Sequence, residues 1–302
     1  MKRPTILLLL LSSLAAAPTG SSGAEVKGFK HLLSVYADDR EAMLKYPEGV
    51  ACNDSSEFVV ADTGNGRLVR FKYQDGRLVG GTEIRVAEMP YPVRLQLSSQ
   101  GEIYALDERL RKIVRLTPQG TFSGTVEPQG MPAPAKTVPR SFKLDANNNI
   151  YLLDIAGERV VVLDPTGKFR KQIPFPKERH FFSDLAVATN GDIFLLDPVN
   201  PAIFLAGKDA SEFKPLVRDL KDYVTFPTYL TTDTSGSIYI VDEHGNAVVA
   251  IGVDGVFQAR RLVTGWRDGQ VRHPGQICLT KGDLIFVTDS NNNKIQLFEI
   301  TK

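Results

Sequence analysis

One hydrophobic pattern returns along the chain. A short apolar run closing on an aspartate occurs six times, as FVVAD, IYALD, IYLLD, IFLLD, IYIVD and IFVTD. The aspartates are Asp62, Asp107, Asp154, Asp197, Asp242 and Asp289, spaced by 45, 47, 43, 45 and 47 residues. A proline stands 15 residues before the aspartate in five copies, at Pro47, Pro92, Pro139, Pro227 and Pro274; Phe182 takes that place in the fourth. Nine residues after each aspartate comes an apolar or small residue: Phe71, Leu116, Leu163, Ala206, Ile251 and Phe298. Constant offsets between variable spacers put the insertions between units, where loops belong.

Each unit reads as short strands bounded by turns. In the second copy, PVRLQL is followed by the polar turn SSQG, then by IYALD, KIVRL and a variable fourth segment, TFSGTV. Enrichment in β-branched and aromatic residues between Gly, Asn, Ser and Pro clusters predicts strands. A helical period is present only in a short stretch near Asp209–Tyr223. Four short strands per unit of about 45 residues make a β-propeller blade. The expected fold is therefore all-β, a six-bladed β-propeller with four antiparallel strands per blade. The sixth copy ends at Lys302 just after its third strand, and strand-like Gly28–Tyr36 precedes the first copy. This N-terminal segment is expected to supply the missing strand and close the last blade, which removes an exposed edge.

Pro47-Glu-Gly-Val-Ala followed by VVADTGNGRLVRF (59–71) resembles an NHL repeat, as does DSNNNKIQLF at 289–298. The resemblance covers roughly residues 46–299, and the first and sixth copies carry it best. Lys or Arg stands five residues after the aspartate in four copies, at Arg67, Lys112, Arg159 and Lys294, whereas Ala202 and Ala247 depart from the pattern. A single tryptophan, Trp266, with no Trp-Asp pair, argues against a WD-repeat propeller.

Composition narrows the class further. The 302 residues hold 36 basic and 35 acidic side chains, and 42% are hydrophobic. That balance excludes a disordered chain and argues against a nucleic-acid binder. Lys2 and Arg3, an apolar core from Ile6 to Ala17, and the small-residue stretch to Ala24 read as a secretory signal peptide. The expected organisation is a signal at 1–24 and one propeller at 25–302, with no membrane span after signal removal. The mature chain would carry 34 basic and 35 acidic residues, a net charge of −1. It is expected to be an exported, periplasmic or extracellular monomer.

The six repeat aspartates suit a structural role. Each can accept backbone N–H bonds from the following turn and pair with the cation five residues on. Residues before the landmark positions belong near one channel mouth: Tyr46, Tyr91, Val138, Phe181, Phe226 and His273. They either pack between blades or form a partial aromatic collar. Inner strands begin with Glu48, Arg94, Arg140, Lys143, Asp184, Tyr229 and Gln276. The arginines offer forked donors for a carboxylate or phosphate, and the alternative is mutual pairing of channel charges. Cys52 and Cys278 lie on the inner strands of the first and last blades, with opposite parity, so they either face one another or point apart.

Enzymatic relatives of this architecture set further expectations. Peptidylamidoglycolate lyases, which resemble NHL propellers, place zinc-binding histidines just after the blade-leading proline; here those positions hold Glu48, Val93, Arg140, Ser183, Thr228 and Gly275. Gluconolactonase-like propellers use channel carboxylates and Asn for calcium, leaving Glu48 and Asp184 as candidates with Arg94 and Arg140 opposing a cation. The sequence thus favours a non-enzymatic binding or scaffold module without cofactor or metal, presenting a channel mouth to a protein or small-molecule ligand. The loops Glu127–Val138 and Gly265–His273 are candidate contacts. The alternative expectation is a metal-dependent hydrolase or lyase with its site in the channel.

Overall fold

Each apolar run that closes on an aspartate forms the second strand of a four-stranded antiparallel sheet. The computed structural model describes residues 28–133 and 135–301, so the expected signal at 1–24 lies outside the described residues. Blade one comprises Gly49–Cys52, Glu57–Asp62, Arg67–Gln74 and Arg77–Ile84; blade two comprises Pro92–Leu97, Ile103–Asp107, Lys112–Leu116 and Phe122–Thr125. Blade three runs over Pro139–Leu144, Ile150–Asp154, Arg159–Leu163 and Phe169–Pro174. Blade four holds Asp184–Val187, Ile193–Asp197, Ala202–Ala206 and Lys214–Val217. Blade five holds Pro227–Thr232, Ile238–Asp242, Ala247–Ile251 and Phe257–Arg261. Blade six is built from Pro274–Leu279, Leu284–Asp289 and Lys294–Thr301, with Gly28–Val35 as its outer strand. The chain is a six-bladed β-propeller.

Inner strands of successive blades touch all the way round, blade six against blade one included. The second and third strands are buried on both faces, which explains their continuous apolar runs. Their side chains form six apolar clusters, one between each pair of adjacent blades. One of these joins Phe58 and Phe71 of blade one to Phe286 and Leu297 of blade six.

The helical period at Asp209–Tyr223 does not form a helix. Lys214–Val217 becomes the outer strand of blade four, pairing with Ala202–Ala206, while Phe213 buries itself against blades three and four. Pro215 inside this stretch lacks an amide proton and disfavours a helix interior. Among the described residues the helical content is two 3₁₀ turns, Thr63–Asn65 and Ser290–Asn292.

The repeat aspartates are all buried. Five of them accept a backbone N–H from the segment leading into their own blade: Lys45 N–H to Asp62 at 2.7 Å, Tyr91 to Asp107 at 2.5 Å, Val138 to Asp154 at 2.9 Å, Phe226 to Asp242 at 2.8 Å and Arg272 to Asp289 at 2.7 Å. The following turn donates as well, from Leu110 to Asp107 and from Val199 and Asn200 to Asp197. Cations complete most of these sites. Arg67 meets Asp62 at 2.7 Å, Arg159 meets Asp154 at 2.9 Å, and Lys294 stands 4.0 Å from Asp289. Lys112 breaks the expected rule by turning to exposed Glu127. Where Ala202 and Ala247 replace the cation, guanidinium groups arrive from elsewhere: Arg179 reaches Asp197 at 2.9 Å and Arg260 reaches Asp242 at 3.0 Å.

Closure of the ring is secured several times over. Gly28–Val35 pairs antiparallel with Lys294–Thr301, from Gly28 opposite Thr301 to Val35 opposite Ile295. Ser290 Oγ donates to Pro47 O at 2.7 Å, and Asn293 Oδ1 accepts from Tyr46 N–H at 2.8 Å. Cys52 and Cys278 face one another and are disulfide-bonded, with Cα atoms 5.8 Å apart and a sequence separation of 226. A crosslink over so long a loop restricts the unfolded chain, which stabilises a fold by about 2–4 kcal/mol. Replacing both cysteines by serine is expected to lower the denaturant midpoint by a corresponding amount, while reduction leaves that variant unchanged. Equal midpoints for oxidised wild type and the double variant would refute this contribution.

Candidate functional site

The segments that precede the inner strands converge on one mouth of the channel. The turns that follow the repeat aspartates end there too. Together they enclose a pocket of about 420 Å³. Its polar lining is Glu48, Arg94, Glu108, Arg111, Arg140 and Glu243, and Val93, Leu106, Ile155 and Phe181 supply apolar wall.

Glu48 follows Pro47 directly, and its main chain is fixed on both sides. Its N–H donates to Ala61 O at 3.2 Å and its carbonyl accepts from Thr288 Oγ1 at 3.4 Å. The carboxylate has no hydrogen bond or ion pair among the described residues. Burial pushes its pKa up to about 7; Arg94 and Arg140 pull the other way, and Glu108 and Glu243 reinforce the rise. A carboxyl poised near neutrality is able to take and return a proton.

Arg94 lies over the Tyr229 ring at 5.6 Å and donates to the carbonyls of Val93 and Thr228 at 3.3 and 3.5 Å. No carboxylate is bonded to it among the described residues. Arg140 pairs with Glu108 at 3.3 Å, and Arg111 is exposed at the rim. The pocket thus sets three guanidinium groups beside three carboxyls, of which Arg140 and Glu108 pair, and Arg94 offers a fork that no carboxylate occupies among the described residues.

The aromatic positions divide. Phe181 lines the pocket. Tyr46 and Tyr91 stand close enough to Glu48 that, after burial, its charge helps to raise both phenol pKa values. Arg109 covers the Tyr91 ring at 4.5 Å. Phe226 stacks on His244 at 4.8 Å, and His244 meets the edge of His273 at 5.6 Å. Asp184 and Tyr229 do not reach the pocket lining. Asp184 is fully buried, accepting from Ser141 Oγ at 2.5 Å, Lys143 Nζ at 3.0 Å and Leu230 N–H at 2.9 Å, and it thereby ties blades three, four and five together. Tyr229 is buried beneath Lys143, whose Nζ lies 3.6 Å from the ring centroid. Gln276 is likewise structural. It passes Gly49, where a Cβ would stand 3.3 Å from Oε1, and clasps Leu95 of blade two through both its N–H and its C=O.

A calcium site built on Glu48 and Asp184 does not fit these residues. Both Asp184 oxygens are committed to protein donors, and Arg94 and Arg140 face Glu48. No step is assigned to a cation there. Sequence reasoning passed over Glu108, Arg111, Glu243 and His244. All four lie one to four residues after a repeat aspartate, in turns that the landmark spacing already places at the mouth.

The fold and the pocket define a six-bladed propeller with a pocket at its channel mouth. Three similar solved structures share that fold. Virginiamycin B lyase from Staphylococcus aureus matches with a TM-score of 0.63 and 15% identity, over 90% of this chain and 99% of its own. A gluconolactonase from Xanthomonas campestris matches at 0.66 and 13%, covering 95% and 98%. A PQQ-bound aldose sugar dehydrogenase from Streptomyces coelicolor matches at 0.63 and 16%, covering 91% and 98%. No protein-family model matches the chain, and no curated protein matches it. At these identities the likeness establishes the fold. It also corrects the expectation of a non-enzymatic binding or scaffold module, because the similar propellers are a lyase, a gluconolactonase and a dehydrogenase.

The raised Glu48 pKa has a consequence for stability. A carboxyl with a folded pKa near 7 and an ordinary value of 4.5 contributes fully below 4.5, and that contribution is lost as pH rises through 7. Glu48→Gln is therefore expected to match wild type near pH 4 and to exceed it near pH 8, by about 1–3 kcal/mol after allowance for solvent screening. Denaturation at the two pH values measures the difference, and a gap that does not widen with pH would contradict the assignment.

Proposed function

We propose that this chain is a hydrolase or lyase of the channel-mouth type, acting on a small organic anion, with Glu48 as the proton-accepting base. The observation that carries this reading is Glu48 itself. It is a half-buried carboxyl without a bonded partner, with a pKa of about 7, in a pocket that also holds an arginine free of bonded carboxylates. Arg94, with Arg111 and Arg140 at the rim, would hold the carboxylate or phosphate of the substrate. Glu48 would then remove a proton, either from a carbon beside that anion or from a water attacking a lactone or ester carbonyl. In the first case the electron pair left on carbon expels the leaving group. In the second, the hydroxide adds and the alkoxide departs. Burial of Glu48 disfavours its charged form and so keeps the carboxyl a competent proton acceptor near neutral pH.

Support for an enzyme comes from the similar propellers, and support for this chemistry comes from the pocket. We further read the repeats as NHL-type, on the motifs at 47–71 and 289–298, and the chain as an exported monomer whose leader is residues 1–24. An oxidising compartment agrees with the Cys52–Cys278 bridge.

A panel of lactones, carboxylate esters and β-substituted acids, assayed across pH, tests the reading. Turnover of the active substrate should rise through about pH 7 as Glu48 ionises. Glu48→Gln should lower kcat by roughly 10²–10⁴ and remove that limb. Arg94→Ala should act mainly on KM. A pH profile retained in Glu48→Gln would assign the base elsewhere.

A further inference from the structure

We propose that Glu243, His244 and His273 form a binding site for a divalent transition-metal ion at the rim of the channel mouth. Each offers one ligand atom, and these atoms lie within 4.8 Å of one another. His273 Nδ1 and Glu243 Oε1 are 3.5 Å apart. That is close to the edge of a tetrahedron with bonds of about 2.1 Å, roughly 3.4 Å, so this pair can share an ion with little movement. Two imidazoles and one carboxylate make a donor set suited to zinc and its first-row neighbours, and one coordination position would remain for water or a ligand.

The three residues come from two blades, and the backbone arranges them. Glu243 and His244 follow Asp242 in the turn that links the second and third strands of blade five. Two residues further on, Asn246 Oδ1 accepts the N–H of His273 at 2.8 Å and so fixes the start of blade six against the same turn. His273 is held with φ +51, a left-handed conformation uncommon for a histidine, and its carbonyl accepts from Ser290 N–H at 3.3 Å. Glu243 N–H donates to Phe226 O at 3.2 Å, and the Phe226 ring stacks on His244. One turn thus carries two donors and positions the third. The equivalent contact between blades six and one, Asn293 to Tyr46, places a tyrosine where this site has its histidine.

Among the described residues, the Glu243 carboxylate is not neutralised by a basic side chain, although Arg94, Arg111 and Arg140 line the same pocket; its partner is His273. Exposed His244 gives an ion a path from solvent. Glu243 also lines the pocket that contains Glu48, so a bound ion would adjoin the proposed reaction site. The inference stands apart from the reaction assigned to Glu48, since it rests on the three donors alone.

Chelator-stripped full-length protein titrated with Co²⁺ and with Zn²⁺ provides the test, read by Co²⁺ visible absorption and by calorimetry. One equivalent should bind, with intense absorption of a four- or five-coordinate site. His244→Ala, His273→Ala and Glu243→Gln should each weaken binding at least tenfold, while His180→Ala, at an exposed histidine elsewhere, should bind as wild type. A thermal melt followed by circular dichroism establishes that each variant is folded. Should His273→Ala fail to fold, protection of His244 and His273 from diethyl pyrocarbonate by Zn²⁺ in the wild type decides instead. Sub-stoichiometric binding, unchanged affinity in the His244 variant, or absence of protection would overturn the site. Glu48→Gln separates the two readings: it should retain one equivalent of Co²⁺ whatever its effect on turnover.

Discussion

A buried carboxylate is tolerated only where donors or a cation surround it, and this fold buries one at the same place in every blade. The aspartate closing each second strand is the junction at which three segments meet. In five blades it receives an amide from the segment leading into its own blade, in several an amide from the turn that follows, and in most a guanidinium or ammonium group. Satisfying it therefore fixes the backbone on both sides of the channel mouth. Arg67 shows how far this reaches. Burial opposes its charge, yet bonds to Asp62, Glu83 and Asp38 outweigh that and drive its pKa upward, tying the approach to blade one to the sheet. Glu48 and the proposed metal donors stand on backbone that these junctions hold still.

The fold was largely legible because its signals are local. Constant distances from proline to aspartate, and from aspartate to the next apolar residue, specify strand, turn and strand within one unit. The missing outer strand of blade six followed from the same arithmetic, and Gly28–Val35 fills it, one residue shorter than the sequence pattern suggested. Partnerships made through space were not legible. The cation five residues after the aspartate holds for Arg67 and Arg159, but Arg179 and Arg260 replace it from outside the motif. Asp184 looked like a channel ligand because its position faces the axis, yet Lys143 and Ser141 of the preceding blade consume it. The helical period near Asp209–Tyr223 yielded to the demand of Ala202–Ala206 for an outer partner.

The site shows the same division. Glu48, Arg94, Arg140 and Phe181 could be placed at the mouth by counting from the landmark positions. Their chemistry could not, because a pKa of about 7 arises from burial under residues contributed by several blades. The histidines illustrate the point most plainly. None follows a blade-leading proline, which spoke against metal chemistry, but His244 and His273 come from different blades and meet only once the ring is closed. A propeller assembles its functional groups by geometry around an axis, and a repeat motif describes one blade at a time.

The pairing of the first strand with the last has a bearing on how the molecule comes into being. Gly28–Val35 is the earliest part of the ring to be synthesised, and its partner, Lys294–Thr301, is the latest. The opening strand finds its partner only across about 260 residues of chain. Blades one to five draw their strands from contiguous stretches and can condense in sequence, whereas the sixth is assembled from both ends of the chain. Closure of the ring thus needs both ends of this stretch, and loss of Lys294–Thr301 would leave Gly28–Val35 as a bare strand edge, open to pairing with another molecule.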